Sequence, residues 1–154
     1  MELKQIKSFQ IDHTILFPGL YISRIDDDIT TYDLRFIKPN CPPYLETDVM
    51  HSIEHLFATF VRSGEYGENI VYFGPMGCRT GFYLLTKKME PNEVIALTKD
   101  ALAFIADYDD VIPGTTAKEC GNYMEHNLEG AKNAASKMLA ALYFWDETKL
   151  KYPE

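Results

Sequence analysis

The chain has 154 residues and a formal net charge of −8, with 46% hydrophobic and 25% charged residues. This composition predicts a globular protein and argues against a disordered or fibrous one. The excess of acidic residues disfavours binding to nucleic acid or to an anionic membrane, since both carry negative charge. No apolar window predicts a transmembrane helix, and no secretory signal is visible. Three cysteines are too few, and odd in number, for a disulfide framework, so we expect a reducing cytoplasm.

The first half of the chain predicts a β-hairpin followed by one amphipathic helix. Residues Tyr21–Ile25 and Thr31–Ile37 alternate in the manner of strands on either side of an acidic turn. A helix is predicted from Asp48 to Arg62, with Thr47 as its N-cap and Gly64 as its stop.

The second half predicts two further strands and two further helices. The strands are Ile70–Phe73 and Gly81–Thr86, and a helix opens at Pro91. Asn127 is predicted to cap a last helix that runs through Leu142. Strand pairs mixed with helices, without regular βαβ alternation, predict an α+β fold with an antiparallel sheet, in a single domain over residues 1–154.

The first predicted helix carries two histidines on one face. His51 and His55 lie four residues apart, and Glu54 lies beside them. Because positions four apart share a helix face, the two imidazoles can bind one transition metal. Histidine pairs at this spacing also occur by chance, as exposed or hydrogen-bonded pairs. The H-x-x-E-H pattern favours a metal site, since it is a known metal-binding pattern with the glutamate as acid/base.

Two imidazoles leave a divalent ion under-coordinated, so a third ligand is required. A downstream carboxylate would fit a zinc peptidase of the inverzincin type. The thiolate of Cys120 is an alternative third ligand, and His126 competes with it. A non-enzymatic metal-binding or signalling module is a further hypothesis.

A series of motifs, in order over residues 8 to 132, resembles the S-ribosylhomocysteine lyase (LuxS) family. They are Ser-Phe-x-x-Asp-His at 8–13, Asp-x-Arg-Phe-x-x-Pro-Asn at 33–40, H-x-x-E-H at 51–55, Pro-Met-Gly-Cys-x-Thr-Gly at 75–81, Glu-Cys-Gly at 119–121 and Leu-Glu-Gly-Ala-Lys at 128–132. These motifs span most of the chain, and their joint specificity is high.

The resemblance implies a homodimeric metalloenzyme whose fold is similar to half of a processing-peptidase domain. It implies one Fe²⁺ per subunit, bound by His51, His55 and Cys120, with Zn²⁺ or Co²⁺ able to take its place. It also implies cleavage of S-ribosylhomocysteine to homocysteine and 4,5-dihydroxy-2,3-pentanedione, the precursor of autoinducer-2, at a site on the dimer interface.

The resemblance also implies roles for individual residues. Glu54 and Cys78 are expected to be the two proton carriers, and the expected substrate-binding residues are Ser8, His13, Arg35 and Arg62. The alternatives are a buried structural thiol at Cys78, a local backbone contact at His13 and an exposed strand arginine at Arg35. His126 is interpreted as structural, because the family motif uses the cysteine.

Two positions depart from the family pattern. Tyr72 stands where the family has an acid that contacts the amino-acid end of the substrate, and Asn127 stands where it has an aspartate. Neither departure touches the expected metal ligands or the expected proton carriers.

Overall fold

A four-stranded antiparallel sheet lies at the centre of the structure, a computed structural model that describes residues 1–154. Strands β1 (Gly19–Asp26) and β2 (Ile29–Arg35) form the predicted hairpin. Strands β3 (Ile70–Pro75) and β4 (Gly81–Lys87) form the second pair, and the strand order is β1-β2-β4-β3. The predicted antiparallel sheet is therefore confirmed.

Three α-helices complete the α+β fold: α1 (Thr47–Ser63), α2 (Pro91–Ala106) and α3 (Leu128–Ala141). The Asn127 cap is confirmed, because its side chain accepts a hydrogen bond from the Gly130 N–H. The prediction that Thr47 caps α1 is wrong. Thr47 is the first helical residue, and the cap position belongs to Glu46, whose carbonyl accepts from the Met50 N–H. None of these helices is long and apolar enough to cross a membrane.

One face of the sheet packs against α1, and α2 and α3 pack against α1 and against each other. Helix α1 contributes fully buried side chains to this core at Ile53, Leu56 and Phe57, and the ring of Phe57 stacks on Phe73 of β3. The core is one cluster of 27 buried residues that extends from Leu20 to Leu150. The apolar side of α1 is buried in this core. The face of α1 that carries the histidines is therefore available for contacts with loops.

The other face of the sheet carries polar groups. Asp33 of β2 is paired across the strands with Tyr21 and Tyr83, so the three side chains share this face. Residues 142–152, here called the C-terminal segment, run along the outer edge of β1. The segment is held there by hydrogen bonds from the Ile22 N–H to the Leu150 carbonyl (2.7 Å) and from the Trp145 indole to the Leu20 carbonyl (2.8 Å).

Candidate active site

Helix α1 brings His51 and His55 onto one face, as their spacing predicts. His51 Nδ1 lies 2.8 Å from the carbonyl oxygen of Glu125, and His55 Nδ1 lies 2.7 Å from that of Pro113. A carbonyl oxygen only accepts, so each Nδ1 carries the proton and donates it. Each Nε2 is therefore left with a free lone pair, the form in which an imidazole binds a metal.

The loop between α2 and α3, residues 107–127, brings Cys120 to these two nitrogens. Cys120 Sγ lies 3.4 Å from His51 Nε2 and 3.8 Å from His55 Nε2. A tetrahedral ion with the usual zinc bond lengths would separate sulfur and nitrogen by about 3.6 Å. The three predicted ligands thus lie at the spacing that one metal ion requires.

His126 completes a four-residue group, here called the metal cluster, with His51, His55 and Cys120. One ligand atom from each of the four lies within 4.8 Å of the others. The His126 ring stacks on His51 with 4.0 Å between ring centroids, and its Nε2 is buried without a hydrogen-bond partner. Burial, together with the neighbouring His51 and His55, lowers the pKa of His126 to about 4. The ring is therefore neutral at pH 7, which suits a place beside a cation.

Ser52 fixes the loop to the helix beside the metal cluster. Its side chain is buried within H-x-x-E-H, and its Oγ accepts a hydrogen bond from the Asn127 N–H (2.8 Å). The same Oγ lies 3.0 Å from His126 Nδ1 and 3.0 Å from the Asp48 carbonyl. Ser52 therefore joins the helix that carries two ligands to the loop that carries the third.

Gly114 allows the loop to approach this closely. Its φ of +74° lies in the left-handed region, and a Cβ there would lie 3.2 Å from His55 Nδ1. A side chain would thus meet both backbone strain and the ligand ring. This glycine lets the preceding carbonyl, that of Pro113, reach His55.

Glu54 lines a cavity of about 300 Å³ next to the metal cluster. His51 lines the same cavity, and its far wall is the turn between β3 and β4, at Met76, Gly77 and Arg79. Glu54 thus lines a space that is bounded by one metal ligand, His51, and by residues of the turn that carries Cys78.

Cys78 is exposed at that turn and belongs to a chain of hydrogen bonds, here called the Cys78 network. Its Sγ lies 3.0 Å from Thr80 Oγ1, which accepts from Arg35 Nη1 (2.8 Å). Arg35 Nη2 donates to Asp33 Oδ2 (2.5 Å), which also accepts from the Tyr152 hydroxyl (2.7 Å). The alternative of a buried structural thiol does not fit this exposed position.

Arg35 is the buried cation of the network, with 2% of its side chain exposed. The alternative of an exposed strand arginine is therefore wrong. Burial acts to lower the pKa of Arg35, but Asp33, Cys78 and Tyr152 together outweigh burial and raise this pKa above its ordinary value. The guanidinium stays charged behind Thr80 and Cys78.

Comparison with known proteins gives the same assignment as the motifs. The family model described as S-ribosylhomocysteinase (LuxS) matches residues 6–149. The chain belongs to the LuxS family. It is 48% identical to the S-ribosylhomocysteine lyase of Borreliella afzelii over 98% of this chain and 100% of that protein. The corresponding lyase of Clostridium acetobutylicum is 44% identical over 99% and 100%, and that of Phocaeicola vulgatus is 40% identical over 98% of each chain.

The remaining residues expected from the LuxS motifs do not belong to the metal cluster. Ser8 is half-buried in a short 3₁₀ helix, and His13 Nδ1 lies 2.9 Å from the Ile11 carbonyl, which is the local contact foreseen as the alternative. Arg62 is exposed, seven residues or about 10 Å along α1 from His55. Its guanidinium donates to the carbonyls of Ile70 and Val71. None of the three is hydrogen-bonded to Cys78 or to a metal-cluster residue.

Sequence reasoning ranks one residue of this site below its neighbour and misses another. His126 competes with Cys120 as a ligand from the sequence alone and is then interpreted as structural, and the structure places it in the metal cluster. Its position one residue before the Asn127 helix cap was a usable signal, because the cap ties this stretch to α1. Tyr152 carried no signal, since its partner Asp33 is 119 residues away in the sequence.

Proposed function

We propose that this chain is a metal-dependent carbon–sulfur lyase that cleaves S-ribosylhomocysteine to homocysteine and 4,5-dihydroxy-2,3-pentanedione. The observation that carries the proposal is the meeting of His51, His55 and Cys120 beside the Glu54 cavity, in a chain of the LuxS family. The names of the relatives support the same substrate.

The bound metal is proposed to be one Fe²⁺ per chain, replaceable by Zn²⁺ or Co²⁺. His51, His55 and Cys120 would hold it, since two imidazoles and a thiolate suit these ions better than Mg²⁺ or Ca²⁺. When bound, such an ion acts as a Lewis acid on the carbonyl and hydroxyl oxygens of the sugar. His126 supports this assembly from the side, through its stacking on His51.

The reaction needs proton transfers before the carbon–sulfur bond can break. The ribose carbonyl must move from C1 to C2 and then to C3, so that the C4 proton becomes acidic. Each move takes a proton from one carbon and returns one to its neighbour. Loss of the C4 proton then expels homocysteine thiolate from C5, and the thiolate takes up a proton.

Glu54 is proposed to carry protons between sugar oxygens and towards the leaving sulfur. Its place on the cavity wall beside His51 supports this role, because a carboxylate there reaches oxygens that face the ligands. Cys78 is proposed to carry the carbon-bound protons. Its exposure on the turn whose residues Met76, Gly77 and Arg79 line the same cavity supports this division of work.

Arg35 is proposed to act behind Cys78. Its charge, passed on through the Thr80 hydroxyl, favours the ionised thiol that a base requires. A direct contact between Arg35 and substrate stays a prediction, as do substrate contacts for Ser8, His13 and Arg62.

We also propose a homodimer whose active site lies at the subunit interface. Ser8 and His13 do not belong to the metal cluster of their own chain, which supports this, because a partner subunit would supply a site for them to serve. Light scattering of the purified protein should give a mass of about twice 17.7 kDa. A fully active monomer at assay concentration would contradict the shared site.

A single domain over residues 1–154 is proposed, since one core joins Leu20 to Leu150. The cytoplasm is the proposed location, because all three cysteines are free. A small-molecule substrate, rather than nucleic acid or a membrane, fits the net charge of −8. The product is proposed to feed autoinducer-2 synthesis. The zinc peptidase hypothesis is not favoured, because the comparisons name lyases.

The test follows free thiol after S-ribosylhomocysteine is added to metal-loaded protein. We expect release of homocysteine by the wild type and a loss of about 10²- to 10⁴-fold in Cys78→Ser and Glu54→Gln, the usual effect of removing a general base. Elemental analysis should find the metal retained in both variants. Cys41→Ser, which changes an exposed thiol, is the matched control. Absence of thiol release by the wild type would refute the lyase, and full activity of Cys78→Ser would remove Cys78 from the mechanism.

A further inference from the structure

The ion pair between Asp33 and Arg35 does not have the geometry that these two groups usually adopt. Arginine and a carboxylate commonly pair through two parallel N–H···O bonds. Here a single bond joins Arg35 Nη2 to Asp33 Oδ2, while Arg35 Nε and Asp33 Oδ1 are buried without any hydrogen-bond partner. The second donor and the second acceptor of the pair, which complement each other, are therefore both left without a partner.

Tyr152 bonds the same carboxylate. Its hydroxyl donates to Asp33 Oδ2 (2.7 Å), the same oxygen that Arg35 uses. The Tyr152 ring stacks on Tyr21 with 5.2 Å between centroids, and its segment is tied to β1 by the hydrogen bond between Ile22 and Leu150. The carboxylate of Asp33 is thus anchored on one side by a residue that cannot easily move.

The anchored carboxylate leaves one arm of Arg35 free to reach the turn between β3 and β4. Arg35 Nη1 donates to Thr80 Oγ1 (2.8 Å), and Thr80 Oγ1 lies 3.0 Å from Cys78 Sγ. Either atom of this last contact can be the donor while Cys78 is a thiol, but an ionised Cys78 can only accept, so the Thr80 hydroxyl then donates to the sulfur. A hydrogen bond donated to sulfur favours the thiolate over the thiol, and donation from Arg35 polarises it further.

We propose that Tyr152 is a positioning residue for Cys78: its hydroxyl holds Asp33 in the single-bond arrangement, so that Arg35 reaches Thr80 and Thr80 donates to the sulfur. Without the hydroxyl, Asp33 turns and pairs with Arg35 through both oxygens, and Nη1 withdraws from Thr80. An effect of Tyr152 on turnover rests on the proposed catalytic role of Cys78. The hydrogen-bond network itself does not depend on that role.

The other groups that face the network reinforce this arrangement. Tyr21 from β1 and Tyr83 from β4 flank Asp33, and burial followed by Asp33 raises the pKa of each above its ordinary value. Burial and then Asp33 raise the pKa of Tyr152 in the same direction. All three hydroxyls therefore stay protonated. Arg79, next to Cys78, donates instead to the Leu45 carbonyl (3.2 Å), so Arg35 is the cation hydrogen-bonded into the network.

The experiment measures the pH dependence of Cys78 alkylation by iodoacetamide in the metal-loaded protein, with mass spectrometry of the Cys78 peptide. Tyr152→Phe should move the midpoint upwards by about one pH unit, which is a rate about tenfold lower below the midpoint. Alkylation of the exposed Cys41 in the same molecules should not change. The matched control is Tyr66→Phe, which removes a hydroxyl bonded to Glu93 (2.8 Å) outside the Cys78 network. An unchanged Cys78 profile in Tyr152→Phe, folded by circular dichroism, would overturn the proposal.

Thr80→Val keeps the test decisive if Tyr152→Phe folds poorly. It removes the hydroxyl that joins Arg35 to Cys78, so it should produce a shift of the same direction on its own. Adding Tyr152→Phe to Thr80→Val should then have no further effect, whereas two additive shifts would refute a chain of contacts. The readout needs no turnover. A shifted profile without thiol release would contradict the lyase alone, and thiol release with an unshifted profile would contradict the positioning role alone.

Discussion

The metal cluster and the Cys78 network differ in the groups that hold their reactive atoms. The two helix ligands of the metal cluster, His51 and His55, are oriented by the backbone carbonyls of Glu125 and Pro113. These carbonyls are neutral, and the path of the loop determines their positions. The Cys78 network is held by a buried ion pair between side chains, Asp33 and Arg35. Burying two charges is expensive, and removing one of them leaves the other unpaired.

The comparison teaches that the two halves of one site depend on the fold in different ways. A ligand of the metal cluster can be lost while its neighbours keep their neutral hydrogen bonds. A charged member of the Cys78 network cannot be lost without leaving an unpaired charge in the sheet. Loss of a metal ligand should abolish metal binding and activity, whereas loss of a charged member of the network should lower the free energy of unfolding.

The largest expected effect is the loss of metal in Cys120→Ala. The helix supplies two ligands, so we expect bound metal to fall from about one ion per chain to near zero while circular dichroism stays close to wild type. Elemental analysis after desalting is the measurement, and Cys41→Ala, at an exposed cysteine, is the control. Near-stoichiometric metal in Cys120→Ala would exclude Cys120 as a ligand.

The next effect is a loss of stability in Asp33→Ala. Arg35 would stay buried without a counter-charge, so the free energy of unfolding should fall by about 3–5 kcal/mol, measured by urea titration. Asp26→Ala is a close control, because Arg24 and Asp26 have the same two-residue spacing in β1 but are exposed. Its urea midpoint should not move. Equal urea midpoints for Asp33→Ala and Asp26→Ala would show that the buried ion pair supports the fold no more than the exposed pair does. The proposed difference between the Cys78 network and the metal cluster would then be wrong.

The smallest effect is expected for Ser52→Ala. The Asn127 N–H loses its acceptor and His126 Nδ1 loses its partner, so the free energy of unfolding should fall by about 1–3 kcal/mol. Ser63→Ala is the control, since Ser63 Oγ bonds the carbonyl four residues back, as Ser52 does, but is exposed. A loss as large as that of Asp33→Ala would show that neutral and charged supports are equivalent.

The elements of the fold and part of the site follow from local patterns in the sequence. His51 and His55 were predicted to share a face because a helix repeats about every four residues, and the Asn127 cap was predicted from its residue type. The first turn of α1 was predicted less well. Thr47 is a preferred cap residue, but its own backbone is helical, and its side chain instead helps to lower the pKa of Glu125.

The remaining parts of the site depend on contacts between distant segments. His126 lies in a loop without periodicity, and its place in the metal cluster depends on how that loop wraps around Ser52. The burial of Arg35 depends on Asp33, two residues away, and on Tyr152, which lies at the other end of the chain. No local pattern distinguishes such an arginine from an exposed one, so its environment could be known only from the fold.

The distance along the chain between Asp33 and Tyr152 also bears on how the protein is made. A ribosome delivers Asp33 and Arg35 long before Tyr152, which follows 119 residues later. During synthesis the hairpin of β1 and β2 therefore carries its charge pair without the hydroxyl that anchors it. Contacts between residues so far apart form late and slowly. Until Tyr152 has been made and has docked on β1, Cys78 therefore lacks the final hydrogen-bond network behind it.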